Sequence, residues 1–315
     1  MGSSVDELVI KIRNSEVRGS TNIAVLVAEA LVRDAEEYIE NKDMSGDLKL
    51  SAQNWGTQLI RSRPSQITLR NSIKNVLAGV EKIHDNNDLK VFEVLKSNGE
   101  AFVEQAKSAS EKISVLGGNI IRDGDVILTN SHSALTREIF NMAANQMEKD
   151  IEVYVAETRP RYQGMKMVKE LVDLGIKTTL VIDAAIRHLM PEIDMVIMGA
   201  DTVGSDGSVI SKIGASQIAL VAHESRVPFY VAAPTFKFSE DTLSGVMISI
   251  EEGKKSEIIK DTVLDGMEEN EFFRIRNPSF DATRADHITG IITELYIMSP
   301  HSIGEYLARK SGVIN

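Results

Sequence analysis

Apolar residues in the first third of the chain recur at helical spacing. In SVDELVIKIRNSE, Val5, Leu8, Val9 and Ile12 follow the i, i+3, i+4, i+7 rule of one buried stripe. The stretch STNIAVLVAEALVRDAEEYIE repeats the pattern and predicts a second helix with Thr21 as its N-cap. A third helix over about 47–62 should stop before Pro64, because proline crowds the preceding residue out of the helical region. Two more are expected at about 65–80 and 87–115, the latter carrying Phe92, Leu95, Phe102 and Val103. No strand-like segment precedes residue 118.

The pattern then changes. Short apolar runs suited to fully buried parallel strands occur at 125–130, 152–157, 178–183, 194–200 and 228–234. Helical stretches at 133–148, 164–174, 184–189 and 213–225 separate them. Strand and helix in alternation predict an α/β domain with a mainly parallel, doubly wound sheet. The boundary is expected near VLGGNIIRDGD, where two glycines and a DGD turn should break the last N-terminal helix. That gives a helical domain at 1–117 and an α/β domain at 118–315. No internal repeat or low-complexity segment is evident.

Charge and composition narrow the function classes. A net charge of -11 argues against general nucleic-acid or membrane-surface binding, yet leaves room for a local basic pocket that takes a small anion. The absence of cysteine removes disulfides, thiolate metal sites and a cysteine nucleophile. The six histidines, at 84, 132, 188, 223, 287 and 301, show no paired HExxH spacing, so no metal is expected. No apolar run approaches the ~20 residues of a membrane span, and the N-terminus lacks a basic start followed by an apolar core. A cytoplasmic protein is expected.

In open parallel sheets, ligands bind beyond the carboxyl ends of the strands. The residues there are Asn130–Ser133, Glu157–Arg161, Asp183, Asp201 and Pro234–Lys237. Neither GxGxxG nor GxxxxGK[ST] occurs, so no dinucleotide or P-loop site, and no cofactor, is expected. TNSHSA has three readings: helix capping by its serines, an anion cradle at Ser133 on the helix N-terminus, or a serine nucleophile beside His132. Adjacent Ser-His is a poor catalytic pair because neighbouring side chains point apart. In MGADTVGSDGSVISKIG, Asp201 follows an apolar strand and is either a turn residue or a general acid/base. Lys212 is expected at the start of the following helix, to meet a phosphate or pair with Asp201. Arg18 and Gly19 in EVRGSTN put an arginine beside free helix amides, which suits phosphate. Arg159 and Arg161 sit in a strand-end loop, whereas Arg61, Arg63 and Arg70 read by default as solvated.

Together these residues resemble a known family. RGSTNIA, TNSHSA, ETRPRYQG, VIDAAIRH, MGADTV, SKIG, AAPTFKF, NPSFDAT and IITE resemble, in order, the archaeal ribose-1,5-bisphosphate isomerases. They are also similar to the alpha, beta and delta subunits of translation initiation factor 2B, and more distantly to the methylthioribose-1-phosphate isomerases. The resemblance implies an N-terminal helical domain followed by a Rossmann-like domain, a sugar-phosphate pocket between them, and a homodimer or hexamer. Arg18, Gly19 and Ser20 would hold one phosphate with Arg63 near it, and Lys237 would meet phosphate from the other side. Arg159 and Arg161 would line the pocket, with Ser211 and Lys212 among the binding residues. Asp201 would move the proton in aldose–ketose interconversion.

Five positions depart from that pattern. Ser131 replaces the cysteine held to be half of the isomerases' catalytic pair. Asn130 stands for a histidine, Ala134 for a lysine, Ser211 for an asparagine and Pro234 for a glutamate. A thiol of pKa ~8.5 supplies some thiolate near neutrality, whereas a serine hydroxyl needs a base that the sequence does not identify. Two readings follow. One is a sugar-phosphate isomerase that uses Asp201 with Ser131 in place of the thiol. The other is a noncatalytic protein of the initiation factor 2B type that binds phosphorylated sugars or nucleotides, with initiation factor subunits as partners.

Overall fold

The computed structural model describes residues 4–14, 16–17, 19–41, 47–64, 66–83 and 87–313. They form two compact units, one of residues up to 110 with 234–237, the other of residues 111–233 with 238 onwards.

The first unit is helical: α1 (Ser4–Arg13), α2 (Ser20–Glu40), α3 (Leu48–Ser62), α4 (Ile67–Val76) and most of α5 (Asp88–Ile120). Val5, Leu8, Val9 and Ile12 are buried, as their spacing predicts. A buried carboxylate anchors α1: Asp34 of α2 accepts the amides of Ser4 at 2.7 Å and Val5 at 3.1 Å. Those are two of the orphan donors that open any helix. Helix α2 begins earlier than expected, with Gly19 as its N-cap and Thr21 already inside it, because the Ile23 amide closes the first turn on the Gly19 carbonyl. Helix α3 stops ahead of Pro64, with Arg63 as its C-cap. Helix α4 ends short of residue 80, where Asn98 of α5 donates to the carbonyls of Val76 and Ala78 and caps it.

The glycines of VLGG do not break α5, which continues through them to Ile120. They serve close packing instead. A Cβ at Gly117 would lie 2.7–2.9 Å from three side-chain carbons of Ile139. The helix accepts the roughly 1 kcal/mol that glycine costs in its interior, and residue 139 can then pack directly on its backbone.

The second unit carries β1 (Val126–Asn130), α6 (Ala134–Asn141), β2 (Glu152–Ala156), α7 (Gln163–Asp173), β3 (Lys177–Val181), α8 (Ile186–Leu189), β4 (Met195–Gly199), β5 (Thr202–Val203), β6 (Val209–Lys212), α9 (Ala215–Ser225), β7 (Phe229–Ala232), α10 (Ser256–Ile259), β8 (Phe280–Thr283), β9 (Gly290–Ile292), β10 (Ile297–Met298) and α11 (Ile303–Lys310). Seven strands form one sheet in the order β10-β9-β7-β4-β1-β2-β3. All neighbours pair parallel except β10 with β9. All five predicted strands are present. Successive residues face opposite cores: Ile127, Ile197 and Ile292 pack with α6 and α7, while Leu128, Val196 and Ile291 pack with α9 and α11. Apolar burial on both faces explains why these strands read as continuous apolar runs.

The chain lays down β1, β2 and β3 outward in one direction, then returns to place β4 on the other side of β1. A crevice opens at such a reversal, beyond the carboxyl ends of the two strands. A second, antiparallel sheet of order β5-β6-β8 stands beside it and was not predicted. It corrects one placement: Lys212 closes β6, pairing with Phe280 of β8, and α9 starts only at Ala215. Among the described residues no helix is long and apolar enough to cross a membrane.

Candidate functional site

The rows of the sheet bring the strand ends together. Asn130 pairs with Ala156, and Ala156 with Val181, so the residues just past β1, β2 and β3 emerge side by side. Ser131 leaves β1 in the left-handed region, with φ 66°, and is buried. Its amide donates to Thr158 Oγ1 at 2.8 Å, and its hydroxyl donates to Gln163 Oε1 at 3.4 Å. Thr158 is also left-handed, with φ 63°, and is 2% exposed. A β-branched residue in that region is a true outlier and costs on the order of 1–3 kcal/mol.

His132 does not face Ser131. Its Nε2 bonds to Glu170 Oε2 at 2.8 Å, and Arg137 Nη1 reaches the same oxygen at 3.0 Å. Burial pushes the Glu170 carboxyl up, but hydrogen bonds and charge from His132 and Arg137 outweigh it and hold the group below its ordinary value. Ser133 is the N-cap of α6, its Oγ accepting the Thr136 amide at 3.2 Å. Ser133 therefore caps α6, and His132 belongs to a hydrogen-bonded network with Glu170 and Arg137.

Across the strand reversal, Gly199 ends β4 and presses on the Ser133 turn. A Cβ there would sit 2.6 Å from Ser133 Oγ. Asp201 follows two positions on, half-buried, its amide donating to the Ile210 carbonyl at 2.9 Å. Ser211 is buried and donates to the Gly199 carbonyl at 3.1 Å. Lys212 Nζ lies 4.2 Å from the centre of the Phe280 ring, a cation–π contact.

The loop after β2 holds both arginines. Arg159 stacks over Tyr162, 5.0 Å from its ring centre, and hydrogen-bonds its hydroxyl. Arg161 pairs with Glu257 Oε1 at 2.7 Å. Burial raises the Glu257 carboxyl, but Arg161 and Asn277 outweigh that and keep it low. Both side chains are exposed but engaged, so a ligand that recruits either must compete with an internal partner.

The other phosphate candidates lie in the helical unit. Gly19 and Ser20 open α2, and Arg63 caps α3. Lys237 is 6% exposed, in the 234–237 segment that packs against α4, where Asn71 donates to the Phe236 carbonyl at 2.8 Å. Arg18 lies outside the described residues. Among those residues, no group of three or more His, Asp or Glu is placed to hold a metal ion.

Three residues of this rim escaped the sequence reading of site roles. Thr158 and Asp183 hold the strand ends together by bonds to groups 24 to 28 residues away. Asp281 of β8 accepts the amides of Gly214 and Ser216 and the Ser216 hydroxyl, fixing the turn into α9. Burial raises the Asp281 carboxyl above its ordinary value, against the pull of those three bonds. Asp183 and Thr158 both stood in the strand-end list and Asp281 stood in the NPSFDAT motif, but no role was assigned to any of them.

The sequence model of the initiation factor 2 subunit family matches residues 16–300. A Methanocaldococcus jannaschii protein named ribose 1,5-bisphosphate isomerase is 38% identical over 296 residues, covering 94% of this chain and 92% of its own. A Pyrococcus furiosus protein named putative translation initiation factor eIF-2B subunit 2-like is 33% identical over 298 residues, covering 93% of this chain and 97% of its own. The solved structure of the Pyrococcus horikoshii OT3 translation initiation factor eIF-2B superposes with a TM-score of 0.77 at 28% identity, covering 95% of this chain and 98% of that one.

Proposed function

The chain belongs to the initiation factor 2 subunit family, and from that membership we infer that it is a sugar-phosphate isomerase of the ribose 1,5-bisphosphate type. The observation that carries this reading is the 38% identity, over 94% of the chain, to a protein bearing that name. The strand reversal between β1 and β4, with Ser131 and Asp201 following those strands, supports the same choice of site.

In this reading, Asp201 is the carboxylate that carries a proton between the carbons of the substrate as aldose becomes ketose. Ser131 stays a neutral hydroxyl and hydrogen-bonds the reacting oxygen. Arg18, Gly19, Ser20, Arg63 and Lys237 bind phosphate, as do Ser133, Arg159, Arg161, Ser211 and Lys212 around the strand ends. We read the two units as a helical domain and a Rossmann-like α/β domain, of a cytoplasmic homodimer or hexamer.

The second reading is a noncatalytic protein of the eIF-2B type. Ser131 favours it, since a hydroxyl without a base is a poor replacement for a thiol, and so does the 33% identity to the P. furiosus protein. Incubation with ribose 1,5-bisphosphate, with calorimetry alongside, separates the two: turnover supports the isomerase, and binding without turnover supports the regulator.

A further inference from the structure

Two non-glycine residues in the left-handed region, Ser131 and Thr158, touch each other at the ends of adjacent strands. One carboxylate stands behind them. Asp183, past the end of β3, accepts the Thr158 amide at 2.9 Å on one oxygen and the Arg159 amide at 2.7 Å on the other. The Thr158 hydroxyl then works in both directions. It accepts the Ser131 amide at 2.8 Å and donates its proton to Asn130 Oδ1 at 2.6 Å, with the Ala156 carbonyl at 3.0 Å as the alternative acceptor. Asn130 passes the constraint on, donating from Nδ2 to the Ile213 carbonyl at 3.2 Å. The next amide, that of Gly214, is held by Asp281.

We propose that Thr158, clamped by Asp183, is a positioning residue that sets the Ser131 turn and the Arg159–Arg161 loop for the ligand. A strained conformation persists only where its surroundings over-determine it, and such residues gather at functional sites. Here the over-determination is visible. Three strand ends are tied through one hydroxyl and one carboxylate, and the tied backbone carries the candidate reacting hydroxyl of Ser131 and one candidate phosphate cation, Arg159. A threonine needed only for packing would require neither bond.

The role in ligand handling rests on Ser131 belonging to the site proposed above; the clamp itself is tested without turnover. The chain has no cysteine, so Ser131→Cys installs a single thiol as a reporter. Iodoacetamide alkylation followed against pH gives that thiol's pKa. With the clamp intact the thiol is held near the N-terminus of α6, and its pKa falls below the ~8.5 of free cysteine. Adding Thr158→Val keeps the shape and removes the hydroxyl. The pKa then moves up toward ~8.5, and the thiolate fraction at neutral pH falls about tenfold for each unit, so alkylation slows. Thr158→Ser restores the first value, and Asp183→Asn, which weakens one of two amide contacts, moves it part-way. If Thr158→Val does not fold, Asp183→Asn against Thr158→Ser gives the same comparison. A thiol pKa unchanged by Thr158→Val or Asp183→Asn, whatever the melting temperature does, overturns the proposal. Protection of the thiol by ribose 1,5-bisphosphate separately tests whether the turn faces the ligand.

Discussion

Replacing Gly199 with alanine should disturb the strand reversal more than one methyl suggests. The new Cβ would lie 2.6 Å from Ser133 Oγ and 2.9 Å from Ser133 Cβ, both inside the limit of ordinary contact. Gly199 cannot retreat easily, because it is paired with Ala232 of β7. The Ser133 hydroxyl can rotate away, but it then gives up the Thr136 amide that it caps, a loss of about 0.5–2 kcal/mol. The remaining Cβ–Cβ overlap is overpacking, at about 1–3 kcal/mol. Together these predict destabilisation of roughly 2–4 kcal/mol. Urea denaturation of wild type, Gly199→Ala, Ser133→Gly and the double variant measures it. Because Ser133→Gly removes both clashing atoms, the double variant should be more stable than the sum of the singles implies, with coupling of about 1–3 kcal/mol. Gly199→Ala within about 0.5 kcal/mol of wild type, or strict additivity, would refute the packing argument.

Three further outcomes follow from the structure. Asp34→Ala should lower stability by about 2–4 kcal/mol, because it strips one buried and one part-buried amide of their shared acceptor; a thermal melt within a degree of wild type would contradict this. The Glu170 carboxyl is held below its unfolded value, so its contribution is complete above that value and lost as pH falls through the folded one. Glu170→Gln should therefore flatten the pH dependence of stability on the acid side of pH ~4.5, and unchanged curves between pH 3 and 6 would count against the His132–Glu170–Arg137 network. Ser131→Cys should create or raise isomerase activity, with a rate that climbs with pH as the thiolate forms; an unchanged rate in an active wild type would mean another residue supplies the base.

Much of the architecture was legible in the chain because it follows from burial periodicity. The α1 stripe and the five predicted strands each carry enough apolar residues to be recognised. Strands β5, β6 and β8, of two to four residues, do not, and Lys212 was placed on a helix as a result. The VLGG pair misled for a different reason: glycine that breaks a helix and glycine that admits a neighbour look identical in one dimension, and only Ile139 distinguishes them. The strand-end rim that carries the candidate site was legible, because it follows from where the apolar runs end. Its internal bonds were not. Asp183 to Thr158, Thr158 to Asn130 and Asp281 to Gly214 join residues 25, 28 and 67 positions apart, for which no local pattern exists.

The central claim is that this site turns over a phosphorylated pentose with Asp201 as the proton carrier. Ribose 1,5-bisphosphate incubated with the wild-type chain and with Asp201→Asn, followed by NMR, tests it most directly, with calorimetry on both proteins to measure binding. The account predicts that wild type converts the aldose to a ketose, whereas Asp201→Asn binds it but leaves it unchanged, because an amide cannot exchange the proton. Conversion that survives in Asp201→Asn would remove that residue from the mechanism. Binding by wild type with no conversion at all would contradict the isomerase and leave the regulatory protein.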